Sequence, residues 1–400
     1  MSMQLPSFQV RMLEPADALA SSKLATVAFG MSRDVQALAQ QFRTNICWGA
    51  FAEGTLCSQM AAIPFAIRFD GRWTPMCGIG GVATLPPYRR AGAVRKLFTH
   101  LFPVMRAAGQ AFSVLFPFSY AYYRRFGYEA VYRYRRVTLP FTLLEKFPRH
   151  QAAHFYEPGE SCAEFNALYE CFTAGRQLAL RRDADNWQQR LLPADPWKER
   201  KHAYLLNDAD GNACAYFIFQ PDESAGKCCM RIHDWAVRDA GSLPLLFGFL
   251  RTFGAHFETL EMTMPTGLLP ELLFNELSQV QCGDGWSAMA RLVDVEAALR
   301  LLRRPSAASR VVLRVVDDIL AWNNDTFAIT CGEQETAVSR VGEAADMTVD
   351  VRTLARLLLG TLGLDDPFAA LLPGLEITAR DPSGLRAMFP RKAMWMNDHF

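Results

Sequence analysis

MCGIGGVATLPPYRRAGAVRKLF, residues 76–98, decides how the chain is read. An apolar run broken by Gly78, Gly80 and Gly81 ends at Leu85-Pro86-Pro87. Prolines 86 and 87 forbid a helix there, so the run is a strand that stops near Thr84. The next stretch, Arg89-Arg90-Ala91-Gly92-Ala93-Val94, is a basic turn with one glycine. After it, Val94, Leu97, Phe98, Leu101 and Met105 fall on one face of a helix, which Pro103 is expected to kink or end early. Gly92 can take positive φ, so successive N–H groups can converge on one anion. The helix dipole adds roughly half a positive charge at its start. Strand, basic glycine turn and helix together suit a cradle for a pyrophosphate, with Arg89, Arg90, Arg95 and Lys96 as full charges beside it, and on these residues alone suit a basic surface turn before a surface helix equally well.

Two rival readings are weaker. Gly78-x-Gly80-x-x-Ala83 formally matches a dinucleotide fingerprint, but there the third small residue opens a helix, and Leu85-Pro86-Pro87 follows here. The glycines fit a strand that bulges or is closely approached by another backbone. No Gly-Lys-Ser/Thr follows, so the turn is not a P-loop.

Outward from this stretch the pattern is mixed. Before it stand a strand at 8–14, a helix opened by Pro15-Ala16-Asp17, a second helix at 33–43, and strands at 48–52 and 60–69. After it come a strand at 111–116, a short helix at 120–125 closed by Gly127, and a strand at 131–139. Residues 155–290 partly repeat this order, with a turn at Asp239-Ala240-Gly241-Ser242 before an apolar helix. That turn has Asp239 where the first has arginines, and reads as a copy unable to hold a phosphate. From Ala290 the texture changes to a helix at 292–302, strands near 310–317, 326–331, 335–341 and 346–351, and helices after them. The expected division is 1–150, 151–289 and 290–400, each unit α+β, the first two with mixed sheets and the last with a small antiparallel sheet.

The 400 residues are 50% apolar and 21% charged with a formal net charge of +1, so no global field points to nucleic acid or membrane. The ten cysteines include no CxxC and share no ligand spacing with the seven histidines, so no metal site is expected. They read as reduced thiols of a cytoplasmic protein. The N-terminus has no basic stretch leading into an apolar one, and no apolar run is long enough to span a bilayer.

The strand and the Arg-Arg-x-Gly turn, with Tyr123-Arg124-Arg125-Phe126-Gly127-Tyr128 after the next strand, resemble the acetyl-CoA site of the GCN5-related N-acetyltransferases (GNAT). Val94 stands where the superfamily often has Gly or Ala, which favours a subfamily. The whole chain resembles the enhanced-intracellular-survival (Eis-like) acetyltransferases. The likeness includes Arg291-Leu-Val-Asp-Val-Glu-Ala-Ala-Leu, Trp322-Asn323 and an end at Phe400. The resemblance implies an active GNAT domain, a degenerate one and a sterol-carrier-protein-like domain, assembled as a hexamer.

It further implies that acetyl-CoA binds along Val82, Ala83 and Thr84 and at Arg89, Arg90, Ala91, Gly92, Ala93, Val94 and Arg95. The carboxylate of Phe400 is then the general base and Tyr123 the general acid, with acetyl passing directly to a primary amine. Chemically both roles are sound. A terminal carboxylate is ionised at neutral pH, and a tyrosine hydroxyl stays protonated. A frayed terminus is the ordinary fate of a last residue, but the aromatic end MWMNDHF calls for burial. Tyr123 also reads as a core residue, among Tyr120, Tyr122 and Tyr128. The acceptor is a small-molecule or peptide amine. Family members that take aminoglycosides have an acidic residue before the terminus, where this chain has His399. Phe29, Arg33, Asp34 and Trp48 are candidate pocket residues. Two other classes stay open: a lipid or acyl-CoA-binding protein using the last domain, and an acyl-CoA-regulated assembly protein without turnover.

Overall fold

The computed structural model describes residues 6–30, 34–223, 228–303, 310–331 and 335–400. Among them the chain builds three sheets. The first contains β1 (Gln9–Met12), β2 (Cys47–Ala52), β3 (Thr55–Phe69), β4 (Arg72–Thr84), β5 (Phe112–Leu115) and β6 (Glu129–Ala130). Helices α1 (Ala18–Phe29), α2 (Val35–Gln40), α3 (Ala93–Ala107) and α4 (Tyr120–Arg124) are interleaved with these strands. The second sheet contains β7 (Arg133–Pro140), β8 (Ala153–Phe155), β9 (His202–Asn207), β10 (Ala213–Asp222), β11 (Cys229–Val237), β12 (Thr259–Met264) and β13 (Gln281–Trp286). After β14 (Met289–Leu292), the third is made of β15 (Arg310–Val316), β16 (Thr326–Cys331), β17 (Thr336–Arg340), β18 (Met347–Asp350) and β19 (Leu375–Ile377).

The sheets do not respect boundaries at 150 and 289. Strand order in the first is β1-β2-β3-β4-β5-β14-β6, and in the second β13-β7-β12-β11-β10-β9-β8. The strand at Arg133–Pro140, expected in the first unit, lies in the second sheet. Its apolar residues Val137 and Leu139 are buried in the core of the second sheet, and Arg133 and Arg135 reach Asp284 of β13 at 2.6 and 2.9 Å. In return β14, whose four residues are all buried, fills the gap between β5 and the two-residue β6. The helix expected from Leu292 therefore starts later, at Val295, capped by the Asp294 carboxylate. The third sheet is mixed rather than antiparallel, because β15 and β18 run parallel.

Pro103 does not end α3. Pro103 and Thr99, whose carbonyl loses its usual donor, both face solvent, where water can satisfy that carbonyl. The opposite face, Val94, Leu97, Phe98, Leu101, Phe102 and Met105, is buried against the first sheet.

The third unit is continuous with the first. One apolar cluster runs from Ile67, Phe69 and Phe112 to Leu313, Leu354 and Phe389. A polar joint sits beside it: Arg291, fully buried, pairs with Asp317, and Asn323 donates to the same carboxylate at 3.0 Å. Gly127, at φ +78°, lies against the Arg291 guanidinium, where a side chain would collide. No described helix is long and apolar enough to cross a membrane.

Candidate active site

The site starts from a splay. Parallel pairing of β4 with β5 runs from Met76↔Phe112 to Ile79↔Leu115 and stops. Residues 80–84 continue beyond it with only β3 as a strand partner among the described residues. Register with β3 shifts between Gln59 and Ala61, opposite Gly81 at φ +57°. The glycine makes this bulge possible, and the bulge turns the free edge of Val82, Ala83 and Thr84 outward. Such an edge is a template for another extended chain of amides.

The cradle follows. A 3-10 turn at Pro86–Tyr88 leads to Arg90 at φ +65° and Gly92 at φ +94°. Gly92 is the N-cap of α3, and no side chain caps it. The first intrahelical donor is Lys96, to the Gly92 carbonyl at 3.0 Å. The N–H groups of Ala93, Val94 and Arg95 are therefore the orphan donors of the helix start. Arg89, Arg90 and Arg95 are exposed around them, and none is in an ion pair among the described residues. Arg89 Nε donates to the Thr84 carbonyl at 3.4 Å, linking the turn to the strand end.

The second copy is built differently. Its helix, Ser242–Leu250, starts at Gly241 with φ −69°. The Asp239 carboxylate accepts from Ser242 N at 2.8 Å and Ser242 Oγ at 2.9 Å. That helix start carries its own anion, so the place of a phosphate is taken.

Phe400 is not frayed. Its ring packs against Phe65 at 4.9 Å and Phe116 at 5.1 Å between centroids. A Cβ added at Gly78 would lie 2.7 Å from that ring, and one at Gly80 would lie 3.5 Å from a terminal carboxylate oxygen. The close approach that the glycines of β4 allow is thus by the last residue of the chain itself. The tail behind it is docked. Trp395 is fully buried between Phe172 and Trp235, and its backbone N–H donates to the Gln177 carbonyl at 3.0 Å. Asp398 accepts from Arg182, and the His399 carbonyl accepts from Arg190. Burial pulls the Arg182 pKa down, but the Asp234 and Asp398 carboxylates reverse this and leave it well above the ordinary value. Burial lowers the His399 pKa, a shift opposed by Asp398 and assisted by Arg190.

Tyr123 sits on α4, 3% exposed, in the aromatic cluster beneath α3. Burial raises its pKa, and neighbouring Tyr122 adds to the shift, so it stays protonated. The fold narrows the choice among tyrosines. Tyr120 donates to the Trp286 carbonyl at 2.9 Å, and Tyr128 shares a 2.7 Å hydrogen bond with Ser113. Cys77 is buried and its thiol is pushed up to about 12 by desolvation, which leaves almost no thiolate at neutral pH.

A cavity of about 730 Å³ opens between the first and second sheets, with Phe116, Tyr120, Trp286 and His399 on the active-site side. The expected pocket residues lie elsewhere: Phe29 is exposed, Asp34 caps α2, and Trp48 packs on His100. Arg33 is outside the described residues. What the sequence reading missed is Phe65, Phe116 and Arg182. Arg181-Arg182-Asp183 reads as surface charge, and only folding buries its middle residue. No group of three His, Cys, Asp or Glu among the described residues could hold a metal.

Three family models match in chain order: an acetyltransferase (GNAT) domain over 9–131, a second over 178–292, and a sterol carrier protein domain over 295–397. The chain is a tandem GNAT acetyltransferase with a sterol carrier protein domain. This tandem acetyltransferase shares its whole fold with a GCN5-related N-acetyltransferase from Anabaena variabilis ATCC 29413 (TM-score 0.85, 22% identity, covering 98% of this chain and 100% of that one). It shares it likewise with Eis1 from Mycobacterium abscessus (TM-score 0.81, 20% identity, 98% and 100%). A probable N-acyltransferase from Enterococcus faecalis V583 is similar too (TM-score 0.86, 19% identity, 98% and 100%). In fold and domain order the tandem acetyltransferase is therefore Eis-like. No curated protein matches it.

Proposed function

We propose that the chain is an acetyl-CoA-dependent N-acetyltransferase acting on a primary amine by direct transfer in a ternary complex. The Phe400 carboxylate is the general base and the Tyr123 hydroxyl the general acid. The observation that carries this reading is the seat of Phe400 against Gly78 and Gly80, on the strand whose free edge leads to the cradle.

Acetyl-CoA supplies the activated acetyl thioester. The residues present suit it. The N–H groups of Ala93, Val94 and Arg95 would hold the pyrophosphate, with Arg89, Arg90 and Arg95 as countercharges. The edge at Val82, Ala83 and Thr84 would pair with the pantetheine amides, and an N–H there would polarise the thioester carbonyl. An attacking amine must be neutral. The Phe400 ring packs against Phe65 and Phe116, and its terminal carboxylate lies beside Gly80 on β4, where it would accept the proton of the attacking amine. As the C–N bond forms and the C–S bond breaks, the Phe400 carboxylate would take the amine's proton and Tyr123, held protonated by burial, would give its own to the leaving sulfur. The cavity beside Phe116 and His399 takes the acceptor. Its walls hold both cations and carboxylates, among them Lys201, Arg231, Glu199 and Glu261, which suits a polar small-molecule or peptide amine, aminoglycosides included. The ten free thiols fit the cytoplasm, and the resemblance to the Eis-like acetyltransferases implies a hexamer, which sedimentation tests.

The test is release of free thiol from acetyl-CoA in the presence of an amine panel, with acetylated product followed by mass. Release that matches product for at least one amine supports the reading. Cofactor binding without turnover across the panel overturns it and favours a lipid or acyl-CoA-binding role.

A further inference from the structure

Arg182 belongs to neither the cradle nor the splay, yet its side chain is only 1% exposed. The guanidinium stacks over Tyr169 at 3.8 Å and Trp187 at 4.9 Å. On one side Nη1 donates to Asp234 at 2.6 Å. On the other, Nε and Nη2 donate to Asp398 at 3.0 and 3.1 Å. Tyr216 and Asn397 each donate to Asp234, at 2.8 and 2.9 Å. A buried cation shared between two carboxylates adds little net stability, because desolvating three charges offsets their attraction. What it specifies is position.

The position matters because Asp398 lies two residues from the end. Two residues of extended chain reach about 7 Å, so pinning Asp398 limits where the terminal carboxylate can go. The clamp is also registered to the strands that seat Phe400. Just before Arg182, Leu178 N donates to the Arg68 carbonyl at 2.9 Å and Arg181 N to the Ala66 carbonyl at 2.8 Å. Ala66 and Arg68 belong to β3, which pairs with β4 at Gly78 and Gly80.

Building on the function proposed above, we propose that Arg182 is a positioning residue: through Asp398 it holds the Phe400 carboxylate at the reacting amine. The degenerate domain, whose helix start is closed by Asp239, then serves catalysis as the clamp for the tail.

The test uses Asp398→Ala in the full chain, since this leaves Arg182 paired with Asp234 and spares the buried core. Displacing a catalytic group by about 1 Å can cost ~10²-fold. The expected result is a kcat lower by about 10- to 100-fold with KM for acetyl-CoA within about twofold. Carboxypeptidase should release Phe400 about tenfold faster or more, because undocking frees the terminus. Asp398→Asn, which keeps an acceptor for Arg182, should fall between. A chain lacking Phe400 separates the two ideas. If it is inactive while Asp398→Ala keeps the wild-type kcat and a protected terminus, the clamp is wrong. If it retains full activity, the base reading fails and Arg182 positions no base.

Discussion

The ring of Phe400 lies against Gly78, more than three hundred residues earlier in the chain, with Phe65 on the same spot. A methyl group at Gly78 would stand 2.7 Å from the Phe400 ring and 2.8 Å from the Phe65 ring. Overpacking of this kind costs about 1–3 kcal/mol or displaces the movable partner, here the tail. Gly78→Ala should therefore lower kcat at least about tenfold. Gly80→Ala has 3.5 Å to the nearest atom, ordinary contact, and should lose much less. Equal losses in a side-by-side kinetic comparison would count against this seat.

At the cradle, Gly92→Ala meets no atom within 4 Å, but the residue stands at φ +94°. The strain, about 1 kcal/mol or more, falls on the turn that aims the N–H groups. KM for acetyl-CoA should rise several-fold with kcat less affected. The equivalent change in the second copy, Gly241→Ala at φ −69°, should leave acetyl-CoA binding as it was. Isothermal titration of both variants checks the pair.

Tyr123→Phe removes one hydroxyl from a tightly packed aromatic cluster. As the general acid it should cost about 10²-fold in kcat, with the melting temperature little changed. Tyr122→Phe is the control. A normal rate for Tyr123→Phe would reassign the acid.

Cys77 should be a bystander. With its thiol pushed up to about 12, reaction with iodoacetamide at pH 7.5 should be slow in the native chain and fast only after unfolding. Trapping an acetyl thioester on Cys77 after mixing with acetyl-CoA would overturn direct transfer.

Tail docking should weaken in acid. His399 has a lowered pKa when docked, chiefly from burial beside Phe116, with Arg190 adding and Asp398 opposing. An undocked histidine titrates near 6.5, so below about that pH the undocked tail binds more protons. Docking is then independent of pH above it and is progressively lost as pH falls through about 6.5 towards the docked value. Release of Phe400 by carboxypeptidase, corrected for the enzyme's own pH profile, should accelerate over that window. His399→Gln should flatten the dependence.

Much of this was legible in local chemistry. Leu85-Pro86-Pro87 ends a strand wherever it stands, and Gly92 before an apolar helical face makes an open helix start. The amphipathic spacing of α3 specified its buried face, and Asp239 for arginine marked the second copy as closed. These are properties of a few neighbouring residues, so spacing and residue type suffice.

Where strands pair is a different matter. The strand read at 131–139 was expected in the first unit but pairs in the second sheet, because its partners Asp284 and Glu261 come from distant segments. The resemblance pointed to Phe400, but no local pattern shows that Gly78 and Gly80 form its seat. Nor does Arg181-Arg182-Asp183 show which charge is buried. The sequence alone determined the glycine turn that opens α3, its acidic counterpart at Asp239 and an apolar tail that calls for burial. Only the tertiary structure decided that the tail ends on β4, because burial of Trp395, pairing of Asp398 and packing of Phe400 each need a surface from another domain.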